Sequence, residues 1–186
     1  MGLLALAVLG FSLLHLIPAH GGLRERLRQR FGRRTFGLTY GLIATAALGL
    51  IVLGWRAAPF IPVYDPPAWG AHANLLFMLL AFLLFGQFLA GGSWRQGLRS
   101  PMALAVMIWA TGHLLANGDA ASLILFGGLG LYAAVHAGLA RRSEGFSAPL
   151  SFGHNGFGLL VGLGLYGLML HFHQALIGVP VPFFGG

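Results

Sequence analysis

The chain has 186 residues, of which 57% are hydrophobic and only 8% charged, against roughly 25% charged in an ordinary soluble domain. So little charge could not cover a water-facing surface, and the length allows one domain (residues 1–186). The formal charge of +7 comes from arginine alone, and with no cysteine there can be no disulfide, iron–sulfur ligation, thiolate nucleophile or covalent c-type haem attachment.

An apolar, helix-forming chain of this kind fits a lipid bilayer, where every backbone polar group must be satisfied within the segment. A spanning helix needs about 20 mostly apolar residues. Read in chain order, the predicted spans are residues 3–18, 36–55, 71–90, 101–116, 120–140 and 156–176, which makes an all-α integral membrane bundle of six transmembrane helices. Residues 1–17 lack the positive n-region of a signal peptide and are read as a span.

After the first span, Arg24 to Arg34 alternates charge with Leu23, Leu27 and Phe31, the spacing of an amphipathic helix on an anionic leaflet or of a solvated basic loop. Pro59, Pro62, Pro66 and Pro67 separate the second and third spans. Gly91-Gly92-Ser93 ends the third, and Pro101 suits the first turn of the fourth. Asn117-Gly118-Asp119 breaks the fourth span from the fifth, with Asp119 as the expected N-cap. Gly37 with Gly41, and Gly158 with Gly162, have the four-residue spacing of a close helix contact.

Arginine placement predicts direction. Arg24, Arg26, Arg28, Arg30, Arg33 and Arg34 follow the first span, Arg95 and Arg99 the third, and Arg141 and Arg142 the fifth, with Arg56 alone on the other side. Basic residues collect on the cytoplasmic side, so both termini face outward and the three arginine-bearing loops face the cytoplasm. This orientation accounts for the positive charge and leaves no call for a nucleic-acid partner.

The eight histidines carry most of the ionisable chemistry. An ionisable side chain inside a span is costly and points to function. The topology puts His15, His20, His136 and His154 in the inner half and His72, His113, His171 and His173 in the outer half. His113 is the most informative: Trp109 lies one turn before it and Asn117 one turn after, on the same helix face. Its plainer role is a hydrogen bond to a neighbouring backbone or hydroxyl group. The chemical role is ligation, since two neutral imidazoles on facing helices can hold a haem iron in an apolar interior. Zinc fits less well, because it takes three or four close ligands and no His-Glu-x-x-His pattern occurs.

At about 1.5 Å of rise per residue, His113 stands about 21 Å from Arg99, His15 about 14 Å from Arg24 and His173 about 25 Å from Gly156. Rotamers and tilt absorb several ångströms, so either His15 or His173 can meet His113. His171 and His173 point to opposite sides of one helix, and His136 with His154 offers a second inner-half site with His15 or His20.

Three stretches, "LLHLIPA" with His15, "RSPMALAVMIWATGHLLANGDAASLILFGG" with His113, and "HFHQALIGVPVP" with His173, resemble in order the NnrU family of bacterial membrane proteins, which is similar to the zeta-carotene isomerases. The resemblance implies a multi-span helical fold and a link to nitric oxide metabolism and denitrification. The isomerase relatives carry haem b and isomerise a central cis double bond of a carotenoid. Their axial histidines match His15 and His113. Two departures stand out: Ala110 replaces the cysteine three residues before the second histidine, and Ser100 replaces the histidine of a His-Pro pair.

The expected function is therefore an NnrU-like haem b protein, with metal ligands His113 and His15 and with His173, Trp109 and Asn117 beside the cofactor. The alternative is a haem-dependent isomerase of an apolar polyene, entering from the bilayer past Phe126, Trp109, Phe77 and Tyr132. A membrane methyltransferase and a cofactor-free assembly factor are further classes. The expected partners are the lipid bilayer, an apolar small molecule or nitric oxide.

Overall fold

The computed structural model describes residues 1–19, 22–91, 100–139 and 152–181. His20, the arginine pairs Arg95/Arg99 and Arg141/Arg142, and residue 140 at the end of the fifth predicted span lie outside them.

The described residues are helical throughout, apart from short connections. They form α1 (Gly2–Ala19), α2 (Leu23–Phe31), α3 (Arg33–Arg56), α4 (Gly70–Leu89), α5 (Pro101–Ala116), α6 (Ala120–Leu139) and α7 (Phe152–Ile177). Among the described residues four helices, α3, α4, α6 and α7, are long and apolar enough to cross a bilayer. The other two predicted spans are the shorter apolar helices α1 and α5. The 16 residues of α5 reach only about 24 Å at 1.5 Å per residue.

Local chemistry explains where the helices begin and end. Pro101 sits in the first turn of α5, where its missing N–H costs nothing, and the Ser100 hydroxyl accepts from Ala103 N at 3.4 Å. Asp119 caps α6 as expected: its carboxylate accepts from Ser122 N at 3.0 Å and from the Ser122 hydroxyl at 2.5 Å. Early in α6, residues Leu123–Gly127 form a π-helical turn, which the sequence pattern does not announce.

The helices pack in the spatial order α3, α1, α6, α5, α4, α7, and α7 meets α3 again. At that return contact Arg56 donates to the carbonyls of Ala175 at 3.3 Å and Leu176 at 3.2 Å. The core lies where α1, α3, α5 and α6 converge: Leu4, Ala7, Val8, Ile51, Ala110, Ala121, Leu125, Phe126 and Leu129. Elsewhere large apolar side chains face outward, among them Leu6, Leu42, Leu131 and Leu160, each about two-thirds exposed or more. In water that surface would aggregate, whereas in lipid it is the expected covering.

Of the two glycine pairs, one makes the close contact its spacing suggests. Gly158 and Gly162 on α7 lie against α4, where a side chain at Gly158 would meet Gln87 and one at Gly162 would meet Phe82 O and Leu83 Cα. Gly37 and Gly41 have open space around them.

Candidate functional site

The end of the bundle carrying residues 57–69 is built around the α5–α6 turn. Val63 N and Tyr64 N donate to Gly118 O at 2.8 and 3.0 Å, and Ala120 N donates to Ile61 O at 2.9 Å. Pro62 and Asp119 form an isolated antiparallel bridge. The Tyr64 hydroxyl lies against the carbonyls of Leu114 and Asn117, donating to Asn117 O at 2.7 Å. These acceptors are the last carbonyls of α5, which no helical N–H can reach. The strap of residues 57–69 therefore finishes the helix that carries His113. Burial and the nearby Asp119 carboxylate raise the Tyr64 pKa above the ordinary 10.0, so the phenol keeps its donor proton at neutral pH.

His113 itself is closely confined. Its Nδ1 lies 3.0 Å from Trp109 O. A carbonyl only accepts, so Nδ1 carries the proton, and the Nε2 lone pair of the neutral ring is left for a ligand. The ring stacks on Phe126 with centroids 4.3 Å apart and planes 19° from parallel. Trp109 closes on both, at 5.2 Å from His113 and 4.8 Å from Phe126, and Trp55 reaches Phe126 at 5.8 Å. Phe126 belongs to the π-helical turn, so that irregularity sets the face presented to the imidazole. Asn117 does not turn its amide to the ring: its Nδ2 donates to the His113 carbonyl at 2.9 Å. Behind the site, a side chain at Gly112 would run into Phe77 and Asn74 of α4, and Asn74 Oδ1 is buried without a hydrogen-bond partner among the described residues.

His173 lies within electrostatic reach of His113. Its Nδ1 donates to Val179 O at 2.7 Å, which leaves Nε2 as the other ring nitrogen. His171 pairs instead with Phe172, with centroids 4.6 Å apart.

His15 belongs to a second cluster. Its Nδ1 donates to Phe11 O at 2.8 Å. Its ring is 4.1 Å from that of Phe11, 5.7 Å from Tyr40 and 6.0 Å from Tyr132. Tyr132 in turn is 6.0 Å from His136, which is within electrostatic reach of His15 and 3.5 Å from the Ser100 hydroxyl. The ring contacts of His15 and His113 share no residue.

The structure thus brings His113, Trp109 and Phe126 together with His173 nearby, and gathers His15, Tyr40, Tyr132 and His136 separately. No group of three or more metal-ligating side chains occurs among the described residues. Sequence reasoning missed Tyr64 and the alignment of Phe126. The proline-rich strap hints at a fixed loop, but its partner lies some fifty residues away in the chain.

Comparison with curated proteins and with solved structures finds no match. The family model described as NnrU protein matches residues 3–181, nearly the whole chain. With its helical bundle and the histidines of its first, fourth and last apolar segments all inside that match, the chain belongs to the NnrU family.

Proposed function

We propose that the protein is a six-span haem b protein of the bacterial inner membrane, with both termini outward, serving nitric oxide or denitrification metabolism. The observation that carries the proposal is the setting of His113. One ring nitrogen is committed to a carbonyl of its own helix, the ring is pressed flat against Phe126, and the other nitrogen makes no hydrogen bond among the described residues. Orientation by a backbone carbonyl is the support that metal-bound imidazoles use.

The residues present fit the group. An iron porphyrin needs two imidazoles rather than a cluster of three ligands, and each candidate has its Nδ1 given to a carbonyl: His113 to Trp109, His15 to Phe11 and His173 to Val179. His113 and His15 are the ligands the family resemblance implies. His173, with its Nδ1 held by Val179 O, is the other partner the sequence offers. Haem b held by these imidazoles would supply a redox-active Lewis acid with affinity for diatomic ligands such as nitric oxide. Trp109, Phe126 and Trp55 exclude water around the His113 ring, and the Tyr64 strap holds the helix end that positions it.

The isomerase reading has less support. Ala110, at the position of the relatives' cysteine, is 3% exposed in the core. No sulfur is available there to replace an imidazole. Of the aromatic path expected from sequence, Trp109 and Phe126 stand at His113, Tyr132 stands at His15, and Phe77 packs behind Gly112.

The test is the visible spectrum of the detergent-purified full chain, oxidised and reduced. Wild-type protein shows a haem Soret band and His113→Ala loses it. The second ligand is whichever of His15→Ala and His173→Ala changes the band from that of a six-coordinate iron. A colourless wild type, or a His113→Ala spectrum identical to wild type, sinks the proposal.

A further inference from the structure

At the opposite end of the bundle, α2 lies across α1 and α3 and leaves a groove of about 440 Å³. That volume lies within the ~300–1,000 Å³ range of small-molecule clefts. Its lining is almost wholly apolar: Leu23, Leu27 and Phe31 from α2, Leu14 from α1, and Phe36 and Ile43 among the α3 residues. Leu23, Leu27 and Phe31 are four residues apart and form one face of α2. The other positions of that short helix hold Arg24, Arg26, Arg28 and Arg30 against the single acid Glu25.

Two arginines attend the groove's aromatic wall. Phe36 and Tyr40 stack with centroids 5.8 Å apart. The Arg28 guanidinium lies 5.9 Å from the centre of the Phe36 ring, and Arg24 is within electrostatic reach of Tyr40. Arg28 Nε is buried and has no hydrogen-bond partner among the described residues. A buried cationic donor left unpaired is costly, and a phosphate oxygen is the acceptor that a guanidinium fork matches best.

We infer that this groove is a discrete binding site for an anionic phospholipid, with an acyl chain lying along Leu23, Leu27 and Phe31 and the phosphate paired with Arg28 and Arg24. An apolar trough edged by cations suits an amphiphile with a negative head. A free anion has no use for the trough, and a neutral chain has no use for the arginines. The site is more than the general attraction of basic loops to an anionic leaflet, because it places a stack of aromatic rings and an unpaired guanidinium nitrogen at one groove. The inference does not depend on haem binding.

The experiment is native mass spectrometry of the detergent-purified full chain, offered dioleoyl phosphatidylglycerol, dioleoyl phosphatidylcholine or inorganic phosphate. Wild type is expected to retain one phosphatidylglycerol, preferred by about tenfold over phosphatidylcholine, whose choline cation offsets the attraction of its phosphate for the arginines. Arg28→Gln, which removes the charge, and Thr39→Trp, which fills the groove, should each lower that retention by a similar factor. Equal retention of the two lipids, or undiminished phosphatidylglycerol on Arg28→Gln protein of wild-type helicity, overturns the inference. Displacement of the lipid by inorganic phosphate also overturns it, by making the site one for a free anion. Arg28→Gln lies at the groove's edge, so it keeps the test decisive should Thr39→Trp fail to fold.

Discussion

The two histidine neighbourhoods are built on different principles. Around His113 the backbone itself is tied down: the strap is hydrogen-bonded to Gly118, Tyr64 finishes α5, and Asp119 starts α6. Around His15 the ties are ring contacts, with Phe11, Tyr40 and Tyr132 surrounding the imidazole beside an open apolar groove. Hydrogen-bonded backbone holds one geometry, whereas rings beside a groove can shift to suit an occupant. One histidine thus sits in a neighbourhood set by backbone hydrogen bonds, and the other in one set by rings that can adapt.

Removing Phe126 should break this contrast most sharply. It is 4% exposed and touches His113, Trp109 and Trp55. Phe126→Ala is expected to cost about 3–5 kcal/mol, while Leu27→Ala in the open groove should cost under about 1 kcal/mol. Thermal unfolding in detergent compares them, and equal costs would show that the two ends are equally packed.

A smaller effect of opposite sign sharpens the comparison. A side chain at Gly118 would run into the Tyr64 carbonyl, while Gly37 has open space. Gly118→Ala should therefore destabilise by about 1–3 kcal/mol. Gly37→Ala, inside a helix, should stabilise by about 0.5–1 kcal/mol. If both are neutral, the strap is not held as described.

The smallest effect is in pH. Because the Tyr64 pKa is raised, the folded state holds that proton more tightly than the unfolded chain does. The contribution of the phenol is complete below pH 10.0 and fades as pH climbs through the raised value. The tyrosinate absorbance lost in Tyr64→Phe should titrate with a midpoint above 10.0. A midpoint at or below it would place the hydroxyl in open water.

Much of this was legible from the residues. The Asn117-Gly118-Asp119 turn, the Asp119 cap and the placement of Pro101 follow from short-range chemistry, and the structure has each. The Gly158/Gly162 contact was legible only as spacing. Gly37 and Gly41 have the same spacing without the contact, because a partner helix rather than the pattern decides. Helices occupy residues 3–18 and 101–116, where the apolar runs lie in the sequence. Trp109 and His113 meet on one face of α5, while Asn117 is its extended C-cap. The direction of the Asn117 amide, the strap's hold on α5 and the approach of Phe126 depend on distant segments, which local periodicity does not encode.

The π-helical turn has one further consequence. It accommodates one residue more than a regular turn, so deleting a residue from 123–127 would swing the start of α6 by about 100° relative to its remainder. Tyr132 and His136 would keep their bearing toward His15 while Phe126 left the His113 ring. A single helix thus faces two histidines in two angular phases, and the extra residue is the offset between them.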